Sequence, residues 1–269
     1  MIKHIFLDMD GTLLDSNGKI SQENIETIQN CPVPITLVSA RSPHEMHFAL
    51  AKLHLSNKQV AFNGGLIFEQ KSKHIEKFFC QYIATNTVMA IFNLINYKFP
   101  KIAINWYSSA QWFVTNTNMY SDFQKKITHI EPVEDKNFET IHSKEFQIYK
   151  IMLISFDLSQ LRAVKKMLQT IHFEDISVQL SDNNHLEITS LNATKNNGIA
   201  FIQSEENLQK KELAAFGDGE NDLKMFECVE TSIAMGNASF NVKNKATFIT
   251  KTNDNNGVAF GIHNLLSGY

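Results

Sequence analysis

Residues 5–15 read IFLDMDGTLLD: an apolar run that stops on Asp8, sets a second carboxylate at Asp10 and turns on Gly11. From His4 onward the run reads as a strand covered on both faces, since its apolar residues follow one another without alternation. The segments that follow extend the pattern. Residues 21–31, SQENIETIQNC, predict a helix opened by an N-capping Ser21, and residues 34–41, PITLVSAR, a second buried strand. Residues 42–55, SPHEMHFALAKLHL, predict a helix with Pro43 in its first turn, and residues 58–65, KQVAFNGG, a third strand ending in a turn. Right-handed crossovers turn such a β-α-β-α-β series into a parallel sheet with helices on both faces.

The pattern changes between residues 81 and 187. KIAINWYSS (101–109) and QWFVTNT (111–117) suit a hairpin, while YKIMLISFD (149–157) and HLEITS (185–190) alternate as in an antiparallel sheet with one solvent face. Parallel logic returns with LAAFGDG (213–219), TSIAMGN (231–237) and ATFITK (246–251). The expected fold class is α/β, a doubly wound parallel core over residues 1–80 and 188–269 with an α+β insertion over 81–187.

Bulk properties narrow the function classes. A chain of 269 residues can bury a full core. Its formal net charge of −3 gives no attraction for nucleic acid or an anionic membrane. Lys3, His4 and Asp8 interrupt the start, and no run of 18 apolar residues follows, so neither a signal peptide nor a membrane span is expected, and the expected location is the cytoplasm. Cys31, Cys80 and Cys228 are scattered without a C-x-x-C pair, which predicts free thiols rather than a disulfide framework or zinc site.

Ligands of parallel sheets bind beyond the carboxyl ends of the strands. That end should gather Asp8 and Asp10, Ser39 and Arg41, Asn63 and Gly64, and Asp218, Asn221 and Asp222, with Lys195 arriving on the helix after the insertion. Four carboxylates, a lysine, a hydroxyl and an amide suit a divalent cation and a phosphate. Other motifs fail on spacing. The only Gly-Lys is followed by isoleucine, GDGEND has Asp222 where a dinucleotide fingerprint needs its third glycine, and an EF-hand starting at Asp8 would place Leu13 at its glycine position. HEMH (44–47) is one residue short of a zinc-protease pair, and VSAR lacks the glycines of a nucleophile elbow around Ser39.

The ordered set DMDGT, LVSAR, ATKNNG and GDGEND, spread over nearly the whole chain, resembles the four motifs of the haloacid dehalogenase superfamily of phosphohydrolases. The position of the insertion, with FNGG, HLEIT, AMGNA and TNDNNGV, is similar to the Cof-type branch and its large α/β cap. Two positions depart from the pattern: Ala40 and Asn196 stand where glycine is common. The resemblance implies a Mg²⁺-dependent phosphatase of small phosphorylated metabolites, sugar phosphates or similar, working through an aspartyl-phosphate. Asp8 would be the nucleophile and Asp10 the general acid and base. Asp8, the Asp10 carbonyl and Asp218 would hold the metal, with Asp222 holding a metal-bound water or orienting a ligand. Lys195, the Ser39 hydroxyl, Asn221 and the amides of Met9 and Ala40 would hold the phosphoryl oxygens.

Simpler roles exist for each residue: a turn at Asp10-Gly11, a helix cap at Ser39, a first-turn acid at Asp222, a surface lysine at Lys195. The ordered set outweighs these for Asp8, Asp10, Asp218 and Lys195, while Arg41 and Asn63 are assigned to scaffolding. Trp106, Tyr107, Trp112 and Phe113 are assigned to the insertion's own core. A phosphomutase of the same fold and a phosphate-sensing module without turnover remain the alternatives. The expected partner is a small phosphate ester, with the chain a monomer or weak homo-oligomer.

Overall fold

The computed structural model describes residues 1–72, 74–143 and 146–267. The chain divides into two compact units, one of Met1–Arg41, Met46–Phe79 and Thr194–Tyr269, the other of Ser42–Glu45 and Cys80–Ala193.

The first unit opens with β1 (His4–Leu7), α1 (Gln22–Gln29), β2 (Ile35–Leu37), α2 (Pro43–Leu53), β3 (Gln59–Ala61), β4 (Leu66–Gln70) and β5 (Ile75–Cys80). Every residue of β1 is buried; the apolar Ile5, Phe6 and Leu7 each contribute about 1.5–3 kcal/mol of burial, while the His4 ring pairs with Glu206 and Thr36. Ser21 caps α1 by accepting from the Asn24 amide at 3.3 Å. β3 is not a full member of the parallel sheet. It meets the end of β2 through one parallel bridge, Val38 to Val60, and pairs antiparallel with β4 in a separate sheet ordered β3-β4-β5. Only three residues, Gln59–Ala61, are extended before the chain turns, too few for a long parallel ladder.

The second unit runs α3 (Thr85–Lys98), β6 (Ala103–Tyr107), β7 (Trp112–Val114), α4 (Met119–Thr128), β8 (Val133–Glu134), β9 (Lys150–Ile154), α5 (Leu158–Ile171), β10 (Ile176–Leu180) and β11 (His185–Ser190). Its six-stranded sheet is ordered β10-β11-β9-β6-β7-β8, antiparallel except for the β7–β8 pair. Trp106 and Phe113 lie in an apolar cluster with Phe92, Ile151 and Leu161, and Tyr107 stacks on Trp112, which accounts for all four aromatics as packing. The solvent face expected for this sheet is absent along β9, which is buried from Lys150 to Ile154.

The first unit then resumes with α6 (Lys195–Glu205), β12 (Leu213–Gly217), α7 (Leu223–Phe226), β13 (Thr231–Ala234), α8 (Phe240–Lys245), β14 (Phe248–Ile249) and α9 (Gly257–Ser267). Its parallel sheet is ordered β14-β13-β12-β1-β2. The sheet's order places β1 and β12 side by side at the centre, so the segments following Leu7 and Gly217 leave it together. The fold is α/β, a parallel core sheet interrupted by an inserted mixed-sheet cap domain. Among the described residues no helix is long and apolar enough to cross a membrane, and all three cysteines are free thiols.

Candidate active site

Asp8 extends the central ladder by one step, its amide donating to the Phe216 carbonyl at 3.1 Å. Its carboxylate is thereby held at the sheet's end, with 6% of the residue exposed. Lys195, the first residue of α6, is 2% exposed and sends Nζ between two carboxylates, 2.5 Å from Asp8 Oδ1 and 2.6 Å from Asp222 Oδ1. The other Asp222 oxygen accepts from the backbone amides of Asp218 and Gly219, both at 2.9 Å. With both oxygens engaged, Asp222 is arranged to orient Lys195 and the Asp218 turn. Asp218 itself accepts from the Thr12 hydroxyl at 3.0 Å. Gly11, the residue before Thr12, has φ +77°, and a Cβ there would stand 2.3 Å from Asp218 Oδ2, so the turn after Asp10 requires glycine twice over.

Asp8, Asp218 and Asp222 each offer one oxygen within 4.8 Å of the others. Three carboxylates face one ammonium here, leaving negative charge in excess in a mostly buried place. Burial, then the charge of Asp222, push the Asp8 carboxyl well above its ordinary range against the pull of Lys195. Burial likewise pushes Asp218 up to about 6, opposed by the Thr12 hydrogen bond. Burial alone would discharge Lys195, but the attraction of Asp222 and Asp8 outweighs it and keeps the ammonium charged. A donor set of hard oxygens with unbalanced charge fits a divalent cation such as Mg²⁺.

The loop after β2 carries Ser39, Ala40 and Arg41. Ser39 is 1% exposed and its Oγ accepts from the Arg41 amide at 3.1 Å. Arg41 turns back to Asp10, donating from Nε to Oδ2 at 2.9 Å and from Nη2 to Oδ1 at 2.7 Å. Beside this loop Phe62, Asn63 and Gly64 form three consecutive left-handed residues, with φ of 52°, 54° and 97°. The Phe62 amide donates to the Arg41 carbonyl at 3.0 Å and the Asn63 amide to the Ser39 carbonyl at 2.8 Å. Gly64 packs on Thr194, whose carbonyl oxygen would stand 2.1 Å from any Cβ. One strained turn thus braces both the Ser39 loop and the start of α6 that carries Lys195.

Of the residues singled out in the sequence, Asp8, Asp218, Asp222 and Lys195 meet directly, and Asp10 lies at the adjacent turn with Arg41. Met9 is fully buried, its carbonyl accepting from the amides of Thr12 and Leu14. Asn221 is exposed on the short turn Glu220–Asp222. Thr12 was not foreseen, because a threonine after Asp-Gly reads as turn chemistry. Arg41, assigned to scaffolding, holds a candidate acid directly.

The haloacid dehalogenase-like hydrolase profile matches residues 5–262. A putative phosphatase of Haemophilus influenzae is 29% identical over 96% of both chains. The 5-amino-6-(5-phospho-D-ribitylamino)uracil phosphatase of Bacillus subtilis is 28% identical over 99% of both. Among solved structures, a haloacid dehalogenase-like hydrolase of Bacteroides thetaiotaomicron superposes with a TM-score of 0.89 at 26% identity, covering 98% of this chain and 100% of its own. With its motif residues gathered at the end of a parallel sheet and its sequence matched nearly end to end, the chain belongs to the haloacid dehalogenase-like hydrolases, as a phosphatase.

Proposed function

We propose that the chain is a Mg²⁺-dependent phosphatase of small phosphorylated metabolites, sugar phosphates or compounds like them, that passes the phosphoryl group through Asp8. The observation that carries the reading is Lys195 Nζ held between the carboxylates of Asp8 and Asp222, beside Asp218. Asp8 and Asp218, with the Asp10 carbonyl, are the groups to hold the ion, and Asp222, whose oxygens accept from Lys195 and from the Asp218 and Gly219 amides, stands beside them to orient a ligand or a water on the ion. When bound, the ion screens the repulsion between the carboxylates and a dianionic ester.

An Asp8 oxygen attacks phosphorus as the bond from phosphorus to the substrate's ester oxygen breaks. The Asp10 carboxyl gives its proton to the departing alkoxide and becomes a carboxylate. That carboxylate then takes a proton from water, whose oxygen attacks the phosphorus of the aspartyl-phosphate; inorganic phosphate leaves and Asp8 is restored. Lys195 and the Ser39 hydroxyl, with Asn221 and the amides of Met9 and Ala40, donate to the phosphoryl oxygens. The name of the Bacillus subtilis relative, a phosphatase of a phosphoribityl-substituted pyrimidine, supports adding phosphorylated sugar alcohols and their heterocyclic conjugates to the substrate class.

The test is a hydrolysis panel of sugar phosphates, nucleotides and phosphoribityl compounds, with and without Mg²⁺, read as released inorganic phosphate. Metal-dependent release from at least one class supports the reading. Equal release after complete chelation refutes the metal assignment, and a strict requirement for a bisphosphate activator would favour a phosphomutase.

A further inference from the structure

The segments after β13 and β14, AMGNA (234–238) and TNDNNG (252–257), take no part in the chemistry described above. Their strands are separated from β1 by β12, yet both segments reach across to the loop that follows β1. Asn237 Nδ2 donates to the Gly11 carbonyl at 2.8 Å, and Asn237 Oδ1 accepts from the Asn253 amide at 3.0 Å. Asn253 Nδ2 in turn donates to the Leu14 carbonyl at 2.9 Å, and Asp254 accepts from the Ser16 amide at 2.8 Å. The loop is therefore gripped from outside at Gly11, Leu14 and Ser16. From inside, the amides of Thr12 and Leu14 donate to the Met9 carbonyl at 3.3 and 2.9 Å, and Leu14 bridges Asp10.

Asparagine suits this arrangement for a specific reason. A carboxamide presents a donor and an acceptor on opposite arms of one rigid plane, and Asn237 uses both, so its orientation is determined by its two partners. The Gly11 carbonyl it holds belongs to the Gly11–Thr12 peptide, one peptide beyond the one that joins Asp10 to Gly11. Gly11 has φ +77°, a residue type and conformation with a soft backbone, so an external hydrogen bond there constrains what the chain itself would leave free. The two segments are tied to each other as well, the Gly236 amide donating to the Lys251 carbonyl at 2.9 Å.

We propose that Asn237 and Asn253 form a carboxamide relay that positions the Asp10 turn for proton transfer, with Asn237 as its principal positioning residue. This rests on the reading of Asp10 as general acid and base. The relay makes no contact with the reacting atoms; it acts through the Gly11 peptide. Removing it leaves Asp10 present but poorly aimed.

A double-mutant cycle on an aryl phosphate with saturating Mg²⁺ tests this, comparing wild type, Asn237→Ala, Asp10→Asn and the double variant, with thermal melts of each. Asn237→Ala is expected to fold and to lose about tenfold in kcat with KM within about twofold, the scale of one hydrogen bond's net contribution. In the Asp10→Asn background the same change is expected to cost less than about twofold, because there is no longer a proton-transfer group to aim. Full multiplicative loss in that background, or undiminished kcat in a folded Asn237→Ala protein, overturns the relay alone. Undiminished turnover in Asp10→Asn overturns both the relay and the role of Asp10. Should Asn237→Ala fail to fold, Asn237→Asp, which keeps the shape and the acceptor but removes the donor to Gly11, runs through the same cycle with the same criteria.

Discussion

Arg41 grips Asp10 with a two-pronged hydrogen bond, Nε to Oδ2 at 2.9 Å and Nη2 to Oδ1 at 2.7 Å. The guanidinium is mostly covered, with 19% of the side chain exposed and its carbon 5.9 Å from the centre of the Phe48 ring, while the Asp10 side chain is 57% exposed. A parallel fork fixes the plane of a carboxylate as well as its place, which a point charge does not. Arg41 is also the residue whose amide donates to Ser39 Oγ. One residue therefore ties the candidate acid to the candidate phosphate loop.

Arg41→Lys is expected to keep the charge and lose the fork. Because the pair is half exposed, its contribution to stability is small, about 0–1 kcal/mol, and the melting temperature should move little. Turnover should fall by about tenfold or more, since Asp10 is left without a defined plane. Steady-state kinetics alongside a thermal melt checks this; a lysine variant with wild-type kcat would remove Arg41 from any role in aiming Asp10.

Asp8→Asn should abolish turnover in a folded protein, because the amide has nearly the same shape but is a poor nucleophile. Asp10→Asn should instead lose the ~10² to 10⁴ characteristic of acid–base catalysis and build up phosphate on the protein with a good leaving group. Acid quench after rapid mixing reads this directly. Protein-bound phosphate in the Asp8→Asn variant, or none in Asp10→Asn with any good substrate, contradicts the assigned roles.

What the sequence made legible follows a physical division. Strand ends are readable because a buried apolar run that stops on polar residues marks the carboxyl end of a sheet, so Asp8 and Asp218 could be brought together without coordinates. Buried Lys195 was placed by its motif alone; nothing in the helix ATKNNG marks its lysine as covered. Contacts that depend on three-dimensional convergence were not legible. Thr12 reaches Asp218 across 206 positions, and Asn237 reaches Gly11 across 226, and no periodicity encodes either. The left-handed run at Phe62–Gly64 shows in the sequence only as a turn, since Asn-Gly predicts positive φ but phenylalanine before it does not. The alternation of elements predicts β3 as a third parallel strand, whereas its pairing passes to β4, because the choice between two partners lies in the loop geometry rather than in the residues of the strand.

Gly64→Ala tests that turn. Alanine at φ +97° is strained by itself, and its Cβ would fall 2.1 Å from the Thr194 carbonyl, a backbone atom that cannot swing aside as a side-chain tip does. The loss of stability should be at least about 1–3 kcal/mol, read by urea unfolding. Any variant that folds should also lose kcat, because relief of the clash displaces the residue before Lys195. A variant as stable as wild type would show that α6 can retreat from the turn without cost, and that the turn does not brace it.

The pH dependence of metal binding follows from Asp218. Burial raises its carboxyl from the usual value near 3.8 to about 6, and Asp8 is raised in the same direction by burial and by Asp222. A raised carboxyl stabilises the fold while protonated, so its contribution is complete below about 4 and is lost as pH climbs through about 6; the metal-free protein loses stability over that window. Binding of a divalent cation requires the carboxylate, so below about 6 it must expel a proton, and affinity should fall by about tenfold for each pH unit that one proton is coupled. The stabilisation given by a fixed concentration of Mg²⁺ should therefore grow between pH 5 and 7, because the proton whose loss weakens the metal-free fold is the same proton that metal binding must expel, and the shift of melting temperature reads this one linkage. Calorimetry in two buffers of different ionisation enthalpy should show proton release at pH 5.5 that diminishes by pH 8. A melting shift that is flat across this range, with no proton released at its acid end, would mean that Asp218 and Asp8 are already ionised without metal and that the burial of these carboxylates is relieved by some other positive group.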